Sequence, residues 1–104
     1  MASVHKLSQP QLQRLIRLRS RDPAAVFLTD HCRLRMRQRH IGWTLVLDVL
    51  REGRLRRPPE PDARHTGIVC RMEHFVAGRH LAAAVALDDE DPGVLVVTVI
   101  DLEK

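Results

Sequence analysis

The sequence has no tyrosine, one tryptophan and two phenylalanines in 104 residues. An interior built on stacked rings is excluded, so the core has to be assembled from Leu, Val, Ile and Ala. Two cysteines, Cys32 and Cys70, are too few for a disulfide scaffold, and each reads as a small buried thiol. No stretch approaches the ~18 consecutive apolar residues of a membrane-spanning helix. The first residues also lack the apolar run of a secretory signal, which predicts a cytoplasmic protein with no membrane partner. What is present is 44% hydrophobic residues, enough for one core but not for two. The expectation is a single domain, residues 1–104, with 1–24 as a helical extension of a core at 25–104.

Charge is unevenly placed. Residues 1–57 carry thirteen Lys/Arg against four Asp/Glu, a net +9, and residues 58–104 carry four against nine, a net −5, which together give the +4 of the chain. Such a split gives a fold a basic side suited to a polyanion such as nucleic acid. An arginine-rich solvated surface would have the same composition, so the positions of the arginines must decide.

Along the chain, Ser8 and Gln11 have capping-box spacing, Pro10 falls in the first turn, and Leu7 and Leu12 are placed as a hydrophobic staple. They predict a helix with Leu12, Leu15 and Ile16 on one side and Arg14, Arg17 and Arg21 on another, closed by Asp22-Pro23. Ala25 to Thr29 is a candidate short strand. Thr29 or Asp30 then caps a second helix over 31–40. Trp43, Val46, Leu47 and Leu50 follow at the spacing of a third, core-facing helix, which Gly53 stops. Residues 54–57 are a strand candidate and 58–62 a loop.

From Gly67 the apolar period changes to two. Ile68, Cys70 and Met72 fall on one face, and Val69, Arg71 and Glu73 on the other. Ala77-Gly78-Arg79 reads as a hairpin turn returning along 81–87. Asp88 to Gly93 is a second turn, and 94–100 a near-continuous apolar strand. Helices followed by a meander predict an α+β fold. Its N-terminal helices pack on a C-terminal antiparallel sheet of three to four strands, with the 43–51 helix facing Val97. Alternation turns Leu95, Val97 and Val99 inward and sets Thr98 on the outer face with Arg71. It leaves His74 near the core edge.

The string His31-Cys32-Arg33-Leu34-Arg35-Met36-Arg37-Gln38-Arg39-His40-Ile41, then Gly53, then Val96-Val97-Thr98-Val99, resembles the family called domain of unknown function 4258. That family reads His, Arg-Met, Arg-Gly-Ile, a second helix and Gly, and closes on a Val-Val-Thr-Val strand; the likeness spans 27–101. The family is similar in layout to the RelE, ParE and BrnT-like toxins. The resemblance therefore implies a RelE-like two-layer sandwich, metal-independent RNA cleavage and a cognate antitoxin. Two positions depart from the pattern: His40 stands where the family has Gly, and Gly42 where it has a capping Ser or Thr. A left-handed residue is less costly for His than for most non-Gly types, so the turn is expected to survive.

Cleaving RNA without a metal needs a base for the 2′-hydroxyl, an acid for the leaving oxygen and positive charge around the phosphorane. The candidates for catalysis are His31, Arg35 and Thr98, and those for nucleic-acid binding are Arg33, Arg37, Arg39 and Arg71. His31, Arg35 and Arg39 share one helix face, but His31 and Arg39 are separated by about 12 Å of axial rise. Only Arg35 can share a phosphate with His31, while Arg39 either holds a neighbouring phosphate or pairs with Asp48 or Glu52. Cys70 and His74 would lie ~13 Å apart along a strand, too far for one zinc ion, and no metal or cofactor is expected. The expected partners are RNA or the ribosome and an antitoxin protein, with a homodimer as a permitted assembly. The same fold also suits a non-catalytic inhibitor or binding module, or a ParE-like topoisomerase inhibitor.

Overall fold

The structure, a computed structural model, describes residues 3–63 and 66–103. Helix α1 (Gln9–Arg19) opens with the expected capping box: Ser8 Oγ accepts from the Gln11 N–H at 3.3 Å, and Gln11 Oε1 accepts from the Ser8 N–H at 2.8 Å. Leu12 and Ile16 bury completely. Asp22 caps a short 3-10 turn, Pro23–Ala25, which leads into strand β1 (Val26–Leu28).

Thr29 is the N-cap of α2 (Asp30–Arg39). Its Oγ1 accepts from the Cys32 N–H at 3.0 Å and donates to the Val97 carbonyl at 2.8 Å, so one hydroxyl starts the helix and ties it to the sheet. The helix stops at His40 in the left-handed conformation (φ 53°, ψ 48°), where the Ile41 N–H reaches back to the Met36 carbonyl at 2.9 Å. This Schellman closure is what lets His stand in place of Gly.

Helix α3 (Trp43–Glu52) starts at Gly42 without a side-chain cap and buries Val46, Leu47, Val49 and Leu50. Trp43, expected on the sheet, stays 38% exposed. It occupies the helix's first turn, and its ring borders a surface depression with Phe27 and Leu28 of β1 instead of the core.

The remaining strands are β2 (Arg54–Leu55), β3 (Glu60–Pro61), β4 (Ile68–Val76), β5 (Arg79–Leu87) and β6 (Val94–Asp101). The sheet runs β1-β6-β5-β4-β2, with β3 also paired to β4. The fold is α+β with helices first and sheet last, as expected, but the sheet has six strands and not three or four. It is mixed and not antiparallel, because β1 pairs parallel to β6. Strands β1 and β2 fall within the strand candidates at 25–29 and 54–57, whereas β3 lies inside the expected 58–62 loop; at two or three residues each they are too short to carry a readable period.

Alternation holds on β4, where Ile68, Cys70 and Met72 are buried in the core. On β6 it is broken by a bulge: Ala84 pairs with Thr98 and Val85 with Val96, leaving Val97 unpaired. Val94 and Val96 therefore point into the core with Val99, and Leu95 and Val97, expected inside, do not. One extra residue reverses the face of everything before it.

Cys32 and Cys70 belong to the core. Burial pushes both thiols up to about 11, with the nearby Arg33 pulling Cys32 slightly the other way. At pH 8 on the order of one thiol in a thousand is ionised. Neither cysteine is expected to react with a thiol reagent in native buffer, whereas both react promptly in denaturant. A labelling time course under the two conditions checks this.

Candidate functional site

The core lies on one face of the sheet, and residues of all three helices contribute to it. The other face carries a different set, ordered by strand register into cross-strand rows. Arg71, Ala84 and Thr98 form one row; Arg54, Glu73, Ala82 and Ile100 form the next. Phe75 and His80 close the end beside the hairpin. That hairpin turns on Ala77 (φ 53°) and Gly78 (φ 72°), the two left-handed positions of a two-residue loop. The tight loop is what sets His80 opposite Phe75.

Glu73 is the centre of this face. Only 7% exposed, its carboxylate accepts from Arg71 (Nη2 to Oε2, 3.1 Å) and lies 3.4 Å from His80 Nε2. Burying a carboxylate is costly unless it is paired and hydrogen-bonded, and here a guanidinium and an imidazole surround it. The His80 ring also stacks on Phe75, with centroids 4.7 Å apart and planes 13° apart. His80 is thus held by its edge and by its face. Glu73, Phe75 and His80 border a depression of about 260 Å³ that is also lined by Glu52, Arg54, Arg56 and His74.

The sequence-derived candidates lie in two groups. Thr98 and Arg71 share a row on the open face, on either side of Ala84, as alternation required. His31 is exposed in the first turn of α2, whose cap is bonded to the residue before Thr98. Arg35 bonds Gln38 at 2.9 Å on its own helix. Arg33 and Arg37 are exposed and line a depression of about 460 Å³ with Met36, His40, Ile41 and Gly42. Arg39 makes no ion pair with Asp48 or Glu52 among the described residues. Its carbonyl, and that of His40, accept instead from Arg79, which also pairs with Asp101.

His80 was not among the candidates, nor was the depression it shares with His74. The signal that finds it is alternation carried through the turn: Glu73 faces out, hence Phe75, hence its hairpin partner. Among the described residues no group of three or more His, Cys, Asp or Glu side chains is placed to hold a metal ion.

The architecture is that of a small α+β domain with one helix-covered and one open sheet face. The profile of the family described as domain of unknown function (DUF4258) matches residues 28–101, from the end of β1 through β6, and the chain belongs to that family. No curated protein and no solved structure is significantly similar to it.

Proposed function

We propose that this domain binds RNA and serves as the metal-independent endoribonuclease of a toxin–antitoxin pair, on a RelE-like plan. The observation that carries the reading is how the arginines are used. Arg17 and Arg51 donate to backbone carbonyls of Gly53 and Ser20 and belong to the fold. Arg33 and Arg37, one turn apart on α2, are exposed beside a depression and make no side-chain hydrogen bond or ion pair among the described residues. Cations with no partner of their own suit phosphate. His31 stands in the first turn of the helix whose Thr29 cap bonds the residue before Thr98, and Arg35 follows one turn further on. Partner RNA, free or on the ribosome, would run along this helix.

Binding of a labelled single-stranded RNA should fall steeply with salt, because each neutralised phosphate releases counterion. Reversing charge at both Arg33 and Arg37 should weaken binding at least ~tenfold and flatten the salt slope by about 0.7 per lost contact, without changing the thermal melt. Absence of RNA affinity even at low salt would sink the proposal.

A protein partner has its own support. Strand β1 is at the sheet edge, and beside it Phe27 is 53% and Trp43 38% exposed around a depression of about 490 Å³. Such a surface suits an antitoxin, and equally the target of a non-catalytic inhibitor. A protein that binds RNA but leaves it intact would favour the inhibitor.

A further inference from the structure

We infer that the hairpin end of the open sheet face is a stacking subsite for an unpaired RNA base, with the Phe75 ring as its platform and Arg54 and Arg56 on the flanking phosphates; this rests on the RNA-binding part of the reading above. The chain has only three aromatic residues. Phe75 is 63% accessible, more than any other large apolar side chain among the described residues. Leaving a phenyl ring in water forgoes the stabilisation of burying it. The ring is nevertheless held in one orientation. One face stacks on His80, with centroids 4.7 Å and planes 13° apart, and His80 Nε2 lies 3.4 Å from the buried Glu73 carboxylate. Arg71 holds that carboxylate in turn. With His80 covering one face, the accessible area of Phe75 is its other face and its edge.

A ring fixed from behind and bare in front suits an unpaired base. Every base has a π-face, and a side chain already ordered loses little freedom when a base is laid on it. The cations stand beside the ring. Arg54 opens β2 and Arg56 lies two residues on, about 7 Å along an extended chain; both are exposed and line the depression with Phe75. Neither makes a side-chain hydrogen bond or ion pair among the described residues. They outnumber Glu52, the exposed carboxylate of the same rim. The depression, about 260 Å³, is below the ~300–1,000 Å³ that encloses a whole ligand, and fits one planar group laid on the ring. A protein partner needs a wider apolar area, which lies at the opposite edge of the sheet beside Phe27 and Trp43.

The subsite also adjoins the basic helix. Arg79, one residue before His80, donates to the Arg39 and His40 carbonyls, so the last turn of α2, which carries Arg37, is tied to the same hairpin. A strand held by Arg33 and Arg37 thus leaves the helix at the end of the sheet where Phe75 stands. Phosphate contacts set where the strand lies, and Phe75 takes one base from it. Bases of a duplex are already stacked on each other, so the ring favours single-stranded RNA.

The test uses the full chain with two probes, a labelled single-stranded RNA of mixed sequence and inorganic polyphosphate, a polyanion without bases. Phe75→Ala should weaken RNA binding at least about tenfold with the salt slope and the thermal melt unchanged, and should leave polyphosphate binding as it was. Phe75→Leu, which keeps apolar bulk but no ring, should lose affinity similarly and serves if the alanine variant does not fold. Reversing charge at Arg54 and Arg56 should weaken both probes and flatten the RNA salt slope by about 0.7 per lost contact. Phe75→Trp in a Trp43→Phe background should keep RNA affinity, and its fluorescence should be quenched by RNA but not by polyphosphate.

Wild type that binds RNA, with folded Phe75→Ala and Phe75→Leu binding it equally well, overturns this inference and leaves the RNA-binding reading standing. Equal loss on RNA and polyphosphate overturns it too, because the ring would then act only through the fold. Wild type without RNA affinity at low salt overturns both.

Discussion

Gly53→Ala is expected to lower stability by about 3 kcal/mol, a fall in Tm on the order of 15 °C for a domain of this size. A methyl group built there would lie 2.2 Å from the Val49 carbonyl oxygen and 3.0 Å from the Glu73 carbonyl oxygen. Both contacts are backbone, so no side chain can rotate away. Gly53 ends the helix as expected, but with φ −73° it is not left-handed. The need for Gly comes from close approach of α3 to β4. Gly42 is the control: nothing lies within 4 Å of its added methyl, and Gly42→Ala should change stability by less than about 1 kcal/mol. Equilibrium unfolding in urea measures both. Gly53 also separates Glu52 from Arg54, which line the same depression as Glu73. A melt within a few degrees of wild type would show that the backbones are not in contact.

Much of the helical half was legible because its signals are local. Ser8, Thr29, His40 and Gly53 mark ends by chemistry acting within four residues, and each stands at a cap. The outward position of Thr98 beside Arg71 was legible too, since the count between them happens to survive the bulge. Leu95 and Val97 were not, because a bulge is set by how two strands close on each other and leaves no mark on either sequence. The parallel pairing of β1 was hidden for the same reason: three residues are placed by a strand almost seventy positions further along the chain. The candidate site was half visible. Arg33 and Arg37 could be read as exposed cations, but Arg71 is half-buried and paired with Glu73, and the burial of Glu73 depends also on His80, seven residues away across a turn. Pairing across that turn, and not periodicity along one strand, brings an acid, an imidazole and a ring together.

Arg79→Ala is expected to cost about 3 kcal/mol, because one guanidinium makes three charge-assisted contacts that join α2 to β6. Its Nη1 donates to the His40 carbonyl at 2.8 Å; its Nη2 donates to the Arg39 carbonyl at 2.6 Å and pairs with Asp101 Oδ2 at 3.2 Å. Two of these acceptors are the last carbonyls of α2, which a helix leaves without intrahelical donors. The third is on β6, in a carboxylate only 6% exposed. Arg79, expected in the hairpin turn, is instead the first residue of β5, and from there it fastens the C-terminal end of α2 to the sheet. Lysine has one compact ammonium in place of a planar fork, so Arg79→Lys should recover less than half of the loss. Local opening gives a second readout. Amides at the end of α2 should exchange faster in Arg79→Ala, while those of the α2 first turn, held by Thr29 to Val97, should change only with global stability. The clamp also fixes the basic helix relative to His80, the next residue along β5. On the proposed ribonuclease reading, RNA affinity carried by Arg33 and Arg37 should persist in Arg79→Ala while cleavage falls, since α2 would no longer be held in register with the sheet. Equal loss of affinity and cleavage would mean that the clamp only supports the fold.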